Sequence, residues 1–246
     1  MMNKIKFLRD LLIDNINTMF IAGGSGYFPK QPTFDLLPRD FLRFAKTELD
    51  NLNKNNNNLI NIINCLSHLK RALDCQLDTF FYQIDLYNLT KKKNLSFDQK
   101  MFFLKNAGVI ESSSIQRLNY IRNKMEHHYK IPKIEEIEVY FDLVNAFILV
   151  LESKVAFFAI YSEIDFGFIN SNSYNSVRSK YIFDKNPKID ISATHHDKAK
   201  NFKITVNPSE KDEFVYFLRA HILLGKMDYM KKEYIVDELK NDVTWI

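Results

Sequence analysis

The chain has 246 residues, 46% of them hydrophobic and 14% aromatic, and carries a net charge of +4. That much apolar surface excludes a chain disordered throughout, and the length suits one large domain or a medium domain with a smaller companion. The mildly basic balance is compatible with a polyanionic partner without requiring one.

Residues 3–20 have helical spacing, with Ile5, Leu8, Leu12, Ile16 and Met19 on one side. The N-terminus carries acids among its apolar residues and does not read as a signal peptide. Glycines and prolines in IAGGSGYFPKQP (21–32) predict a loop. No Walker lysine follows the glycines, so a connector is preferred to a phosphate cradle. A helix is expected over 39–52, followed by an asparagine-rich loop and cap.

The strongest periodicity comes next. Leu59, Ile62, Ile63, Leu66, Leu69, Leu73, Leu77, Phe80, Phe81 and Ile84 recur at three- to four-residue steps. They predict a long amphipathic helix with one buried side, and His68, Lys70, Arg71, Asp74 and Asp78 on a solvated or interface side. Both cysteines, Cys65 and Cys75, fall on this helix. They are about 15 Å apart along it, too far for a disulfide. A reducing, cytoplasmic setting is expected. A helix over 97–106 ends at Gly108, and Ser112–Ser114 cap the next one, over 114–129. A second long helix follows Pro132. Its most apolar part, 146–161, is interrupted by Glu152 and Lys154 and reads as too short for a bilayer.

From about residue 165 the pattern changes to short β-branched and aromatic runs, then a helix over 210–227. The expected organisation is an N-terminal helix and loop (1–38), a helical domain (39–164) and a small α+β region (165–246). The fold class is mainly α with that α+β region appended.

The chemistry candidate is RNKMEHHYKIP, residues 122–132. Histidine titrates near neutrality and can serve as base or acid, while arginine stays cationic and grips phosphate through a bidentate fork. That pair suits RNA cleavage, in which the neighbouring 2′-hydroxyl attacks phosphorus; it needs no metal or other cofactor. On an ideal helix, however, His127 is about 140° around from Arg122. Either a long arginine reaches over the loosened helix end before Pro132, or two copies of the helix pool their residues. The plain alternative is an Arg122–Glu126 surface ion pair, with histidines favoured at a helix C-terminus. His195-His196-Asp197 reads as a loop rather than a metal site, because adjacent strand residues face opposite ways. His68 and His221 read as structural.

Arg122-Asn123-Lys124-Met125-Glu126-His127, between two long helices, resembles the HEPN superfamily and its R-X4–6-H motif. The resemblance covers roughly residues 40–160. It implies a helical bundle and a metal-independent endoribonuclease of toxin–antitoxin or antiviral defence systems. It further implies a homodimer whose two motifs form one composite site. Carried over by position, Arg122 and His127 are catalytic and Asn123 orders the site, with Glu126 and His128 supporting. Some members carry R-X4-H-X-Y, whose tyrosine is adenylylated by a partner nucleotidyltransferase; Tyr129 fits that spacing, with His128 as spacer. Expected partners are therefore RNA, a second copy, and an antitoxin or nucleotidyltransferase, with no membrane. A binding module of the same fold without catalysis is the alternative.

Overall fold

The computed structural model describes residues 3–54, 59–110, 120, 123, 134–169 and 174–245. The described chain is mainly helical with one five-stranded antiparallel sheet. It divides into two compact units. One comprises Met1–Pro29, Met101–Ile110 and Ala156–Ile246; the other comprises Lys30–Lys100 and Glu111–Val155.

The second unit is helical. Helix α2 (Pro38–Lys54) opens on proline, whose fixed φ suits a first helical position. The Asp40 side chain accepts the Leu37 N–H at 2.9 Å. Helix α3 (Leu59–Gln83) buries Ile62, Leu66, Leu69, Leu73, Leu77 and Phe80 of the stripe expected from the spacing, whereas Leu59 and Ile63, in its first turns, are exposed. Each such side chain contributes roughly 1.5–3 kcal/mol on burial, so packing, rather than intrinsic propensity, holds the helix. Asp85, with φ of +57°, turns the chain into the short helix α4 (Tyr87–Lys92). Helix α5 (Phe97–Asn106) begins in this unit and belongs to the first from Met101 onward, ending as expected at Gly108, whose φ of +67° favours glycine.

Helix α6 (Ile134–Ile160) has 27 residues. The apolar stretch 146–161 was expected to be too short for a bilayer, and this length corrects that. The stretch is largely the second half of a longer helix, and its two charged residues do not end it. Glu136–Ile160 is the one helix among the described residues long and apolar enough to cross a membrane, and 33% of its apolar window is buried. Buried Ile137, Tyr140, Val144, Phe147, Ile148 and Leu151 recur every three to four residues. That is the pattern of a helix packed along one side. Arg39 of α2 grips Glu152 with two hydrogen bonds, at 2.9 and 2.5 Å.

The first unit joins the two ends of the chain. Helix α1 (Lys4–Asn15) is followed by strand β1 (Met19–Ser25). The sheet then runs in order through β2 (Glu163–Phe168), β3 (Tyr174–Ile182), β4 (Lys188–His195) and β5 (Phe202–Val206). Helices α7 (Lys211–Leu224) and α8 (Lys232–Lys240) complete it. The four C-terminal strands and α7 lie where alternation and periodicity place them.

β1 does not fit the expected connector. It pairs with β2, Met19 opposite Phe168 and Ser25 opposite Glu163. The physical reason lies in the glycines. A Cβ on Gly24 would come within 2.6 Å of the Glu163 carbonyl oxygen, and one on Gly26 within 1.9 Å of the Ala159 oxygen. These glycines permit close backbone approach at a sheet edge. The N-terminal segment therefore belongs with the α+β region rather than forming a separate 1–38 element. Arg9 of α1 lies 5.4 Å from the centre of the Tyr216 ring on α7 and 3.2 Å from Asp242.

Candidate functional site

Of the candidate motif, Asn123 is described, as is its neighbour Tyr120. Both are helical and exposed. Arg122, Glu126, His127, His128 and Tyr129 lie outside the described residues. Helical backbone at 120 and 123 agrees with the expected helix over 114–129 at those two positions.

The remaining histidines have defined surroundings. His221 on α7 is fully buried. Its Nε2 lies 2.9 Å from the Tyr161 carbonyl, which can only accept, so Nε2 carries the proton. Nδ1 then accepts the Ser179 hydroxyl at 2.8 Å. The Phe158 ring stacks on the imidazole, 5° from parallel. Burial pulls the His221 pKa down to about 4, against a smaller upward pull from the Tyr161 carbonyl. Sealed from solvent, the Ser179–His221 pair cannot meet a substrate. It ties β3 to α7 and to the residue just past α6, the structural role expected for this histidine.

His68 on α3 sits edge-on to Phe44, ring centres 5.4 Å apart. Burial and the Arg71 cation hold it below its ordinary pKa, while Glu48 opposes them. The Glu48 carboxylate takes hydrogen bonds from the side-chain amides of Asn61 at 2.8 Å and Asn64 at 3.4 Å. The Nδ1 of His68 is buried without a hydrogen-bond partner. That nitrogen is closed to solvent and the ring is half-buried, which favours a structural histidine.

His195 ends β4, and its Nδ1 accepts the Asp197 N–H at 2.9 Å, while the Asp197 carboxylate accepts the Ala199 N–H at 3.1 Å. This is a turn, as expected. No three His, Cys, Asp or Glu side chains converge among the described residues. Both cysteines are free, and burial, with Glu48 nearby, pushes the Cys65 thiol up to about 12. Such a thiol is no nucleophile near neutral pH.

The outer sheet face is a charge ladder. Arg178 meets Asp165 at 2.6 Å and Glu163 at 3.2 Å; Lys180 meets Glu163 at 2.5 Å, and Lys203 meets Asp190 at 2.7 Å. Each cation faces a carboxylate, so the face offers little net attraction for an anion.

Another cluster went unread in the sequence. Phe34, Tyr82 and Tyr87 meet ring to ring, with centres 5.9 to 6.2 Å apart. Lys91 lies over the Tyr87 ring at 5.2 Å, and Lys91, Lys92 and Lys93 are all exposed. The signal was the run TKKKN beside two tyrosines, though no periodic pattern marked α4 as a helix.

Comparison with protein-family models, curated proteins and solved structures gives no significant match.

Proposed function

We propose that the chain is a metal-independent endoribonuclease of the HEPN type, acting as a dimer in toxin–antitoxin or antiviral defence. The observation that carries this is the Arg122-Asn123-X3-His127 spacing, on a segment that is helical and exposed at Asn123. In this reaction the 2′-hydroxyl oxygen forms a bond to phosphorus as His127 takes its proton. The bond to the 5′-oxygen breaks, and an acid protonates that oxygen, a task open to the second His127 of the dimer. A 2′,3′-cyclic phosphate and a 5′-hydroxyl result. Arg122 offsets the charge that builds on the phosphoryl oxygens. The need for a 2′-hydroxyl selects RNA over DNA.

The 140° offset between the two side chains supports the dimer, because a second copy supplies the missing partner. Regulation by adenylylation of Tyr129, or by an antitoxin, belongs to the same reading. Purified protein incubated with RNA in EDTA tests it. Cleavage abolished by Arg122→Ala and by His127→Ala is the expected result; no cleavage, or cleavage unaffected by both changes, refutes it.

One specific observation favours a second reading, a binding module without turnover. The aromatic and lysine-bearing surface at α4 is equipped to hold a polyanion whether or not the motif cuts it. Binding that survives both substitutions, with no turnover, would select that reading.

A further inference from the structure

The helical unit carries three half-buried rings from three separate segments. Phe34 precedes α2, Tyr82 ends α3 and Tyr87 begins α4. Their mutual packing is tilted or edge-to-face, with interplanar angles of 55° to 65°. None of these three contacts stacks one ring face on another, unlike the parallel Tyr27–Phe183 pair elsewhere in the chain at 1°, and Lys91 lies over the Tyr87 face. Immediately beside the rings, residues 86–97 (LYNLTKKKNLSF) hold three lysines and no acid.

The neighbouring carboxylates define the electrostatics. Asp78 accepts Lys100 at 2.6 Å and Lys91 at 3.4 Å, and Asp85 accepts Lys30 at 3.0 Å. Asp78 is thus shared between two lysines. Lysines in the last turn of a helix complement its dipole, which is the ordinary explanation for Lys91 and Lys92. The same explanation reaches Lys93 at the C-cap, but it does not account for rings gathered from three segments beside the run.

We propose that Phe34, Tyr82, Tyr87 and the Lys91–Lys92–Lys93 run form a binding surface for single-stranded RNA. Unpaired bases stack on the rings while the lysines follow the phosphates. Every base has a π-face, so such a platform holds a strand with little sequence preference. A duplex keeps its bases inside and offers the rings nothing. The choice of RNA over other polyanions rests on the ribonuclease reading, and the surface would then present substrate rather than cut it.

The test measures fluorescence anisotropy of a labelled oligouridylate of about 20 nucleotides, long enough to span a typical single-strand site. The protein is the full chain carrying His127→Ala, so that the RNA stays intact. Expected are binding at least about fivefold tighter than to an RNA duplex of equal length, and a loss of about tenfold in Lys91→Gln/Lys92→Gln/Lys93→Gln. The salt dependence between about 50 and 200 mM should also flatten by about 2 in log–log slope, near 0.7 per lost phosphate contact. Phe34→Leu and Tyr87→Leu should each weaken binding about fivefold or more. The triple lysine variant changes only exposed side chains, so it remains decisive if a ring variant fails to fold. No binding by the parent protein, equal or tighter binding of duplex, or a triple variant within twofold of the parent overturns the proposal. Cleavage by the unmodified chain alongside an inert triple substitution removes this surface alone. Binding that depends on the lysines, with no cleavage by the unmodified chain, removes the nuclease alone.

Discussion

His221 Nδ1 and the Ser179 hydroxyl stand 2.8 Å apart with neither residue exposed, so the imidazole is held neutral where no water can solvate its charge. The unfolded chain takes up a proton near pH 6.5, whereas the folded one resists until about 4. A folded-state pKa below the unfolded one means that the unfolded state binds more protons in between. The stabilisation is therefore complete above pH 6.5 and is lost as pH falls toward 4, by roughly 3 kcal/mol in all. Urea midpoints measured across that window should fall with pH, and His221→Gln should remove most of the slope. An unchanged slope in the variant would count against it.

Complementation tests the composite site. If Arg122 of one copy works with His127 of the other, mixing the Arg122→Ala and His127→Ala proteins brings one intact Arg122 and one intact His127 from different copies together in each mixed dimer. Random exchange makes about half of the dimers mixed, so activity should rise above that of either preparation, each at least ~100-fold impaired, while staying below about half of the parent activity because the second histidine is missing. An arginine that reaches over its own helix end predicts no recovery.

The two glycine positions in the β1 region should respond unequally. Gly26→Ala forces a Cβ against the Ala159 carbonyl oxygen and should cost about 1–3 kcal/mol, read as a lower Tm. Gly23 has nothing within 4 Å of its Cβ position, so Gly23→Ala should shift Tm little. Equal responses would contradict the close-approach account.

Arg219 of α7 and Glu238 of α8 form an ion pair in which the arginine side chain is 9% exposed and the glutamate 28%. Glu238→Ala strands that guanidinium, with an expected loss of about 2 kcal/mol. Arg219→Met together with Glu238→Leu should cost less than the single change, because no charge is left behind. Chemical denaturation of the single and double variants measures the difference.

Much of the fold could be read from residue spacing, for definite reasons. The α3 stripe from Ile62 to Phe80 and the alternation of Ile164 and Phe166 with Glu163 and Asp165 are local patterns that tertiary packing merely uses. Strand β1 was not legible. Its glycines look like punctuation until their partners, Glu163 and Ala159, are brought close from more than 130 residues away. Helices α4 and α8 escaped because six and nine residues are too few for a periodic stripe to stand out. The candidate site was legible only as a motif, since reactivity depends on which groups face one another. The ring cluster of Phe34, Tyr82 and Tyr87 was invisible because packing, not spacing, assembles it.

The pairing of Ser25 with Glu163 has a consequence for biosynthesis. At roughly 5–20 residues per second, β1 leaves the ribosome some 7–30 seconds before its partner strand has been made. During that interval the uncharged Met19–Ser25 segment carries backbone groups with no sheet to join, and most of the helical unit is synthesised meanwhile. A nascent chain stalled before residue 163 should therefore expose a sticky strand, which makes the early translation product, rather than the finished protein, the species most in need of a chaperone.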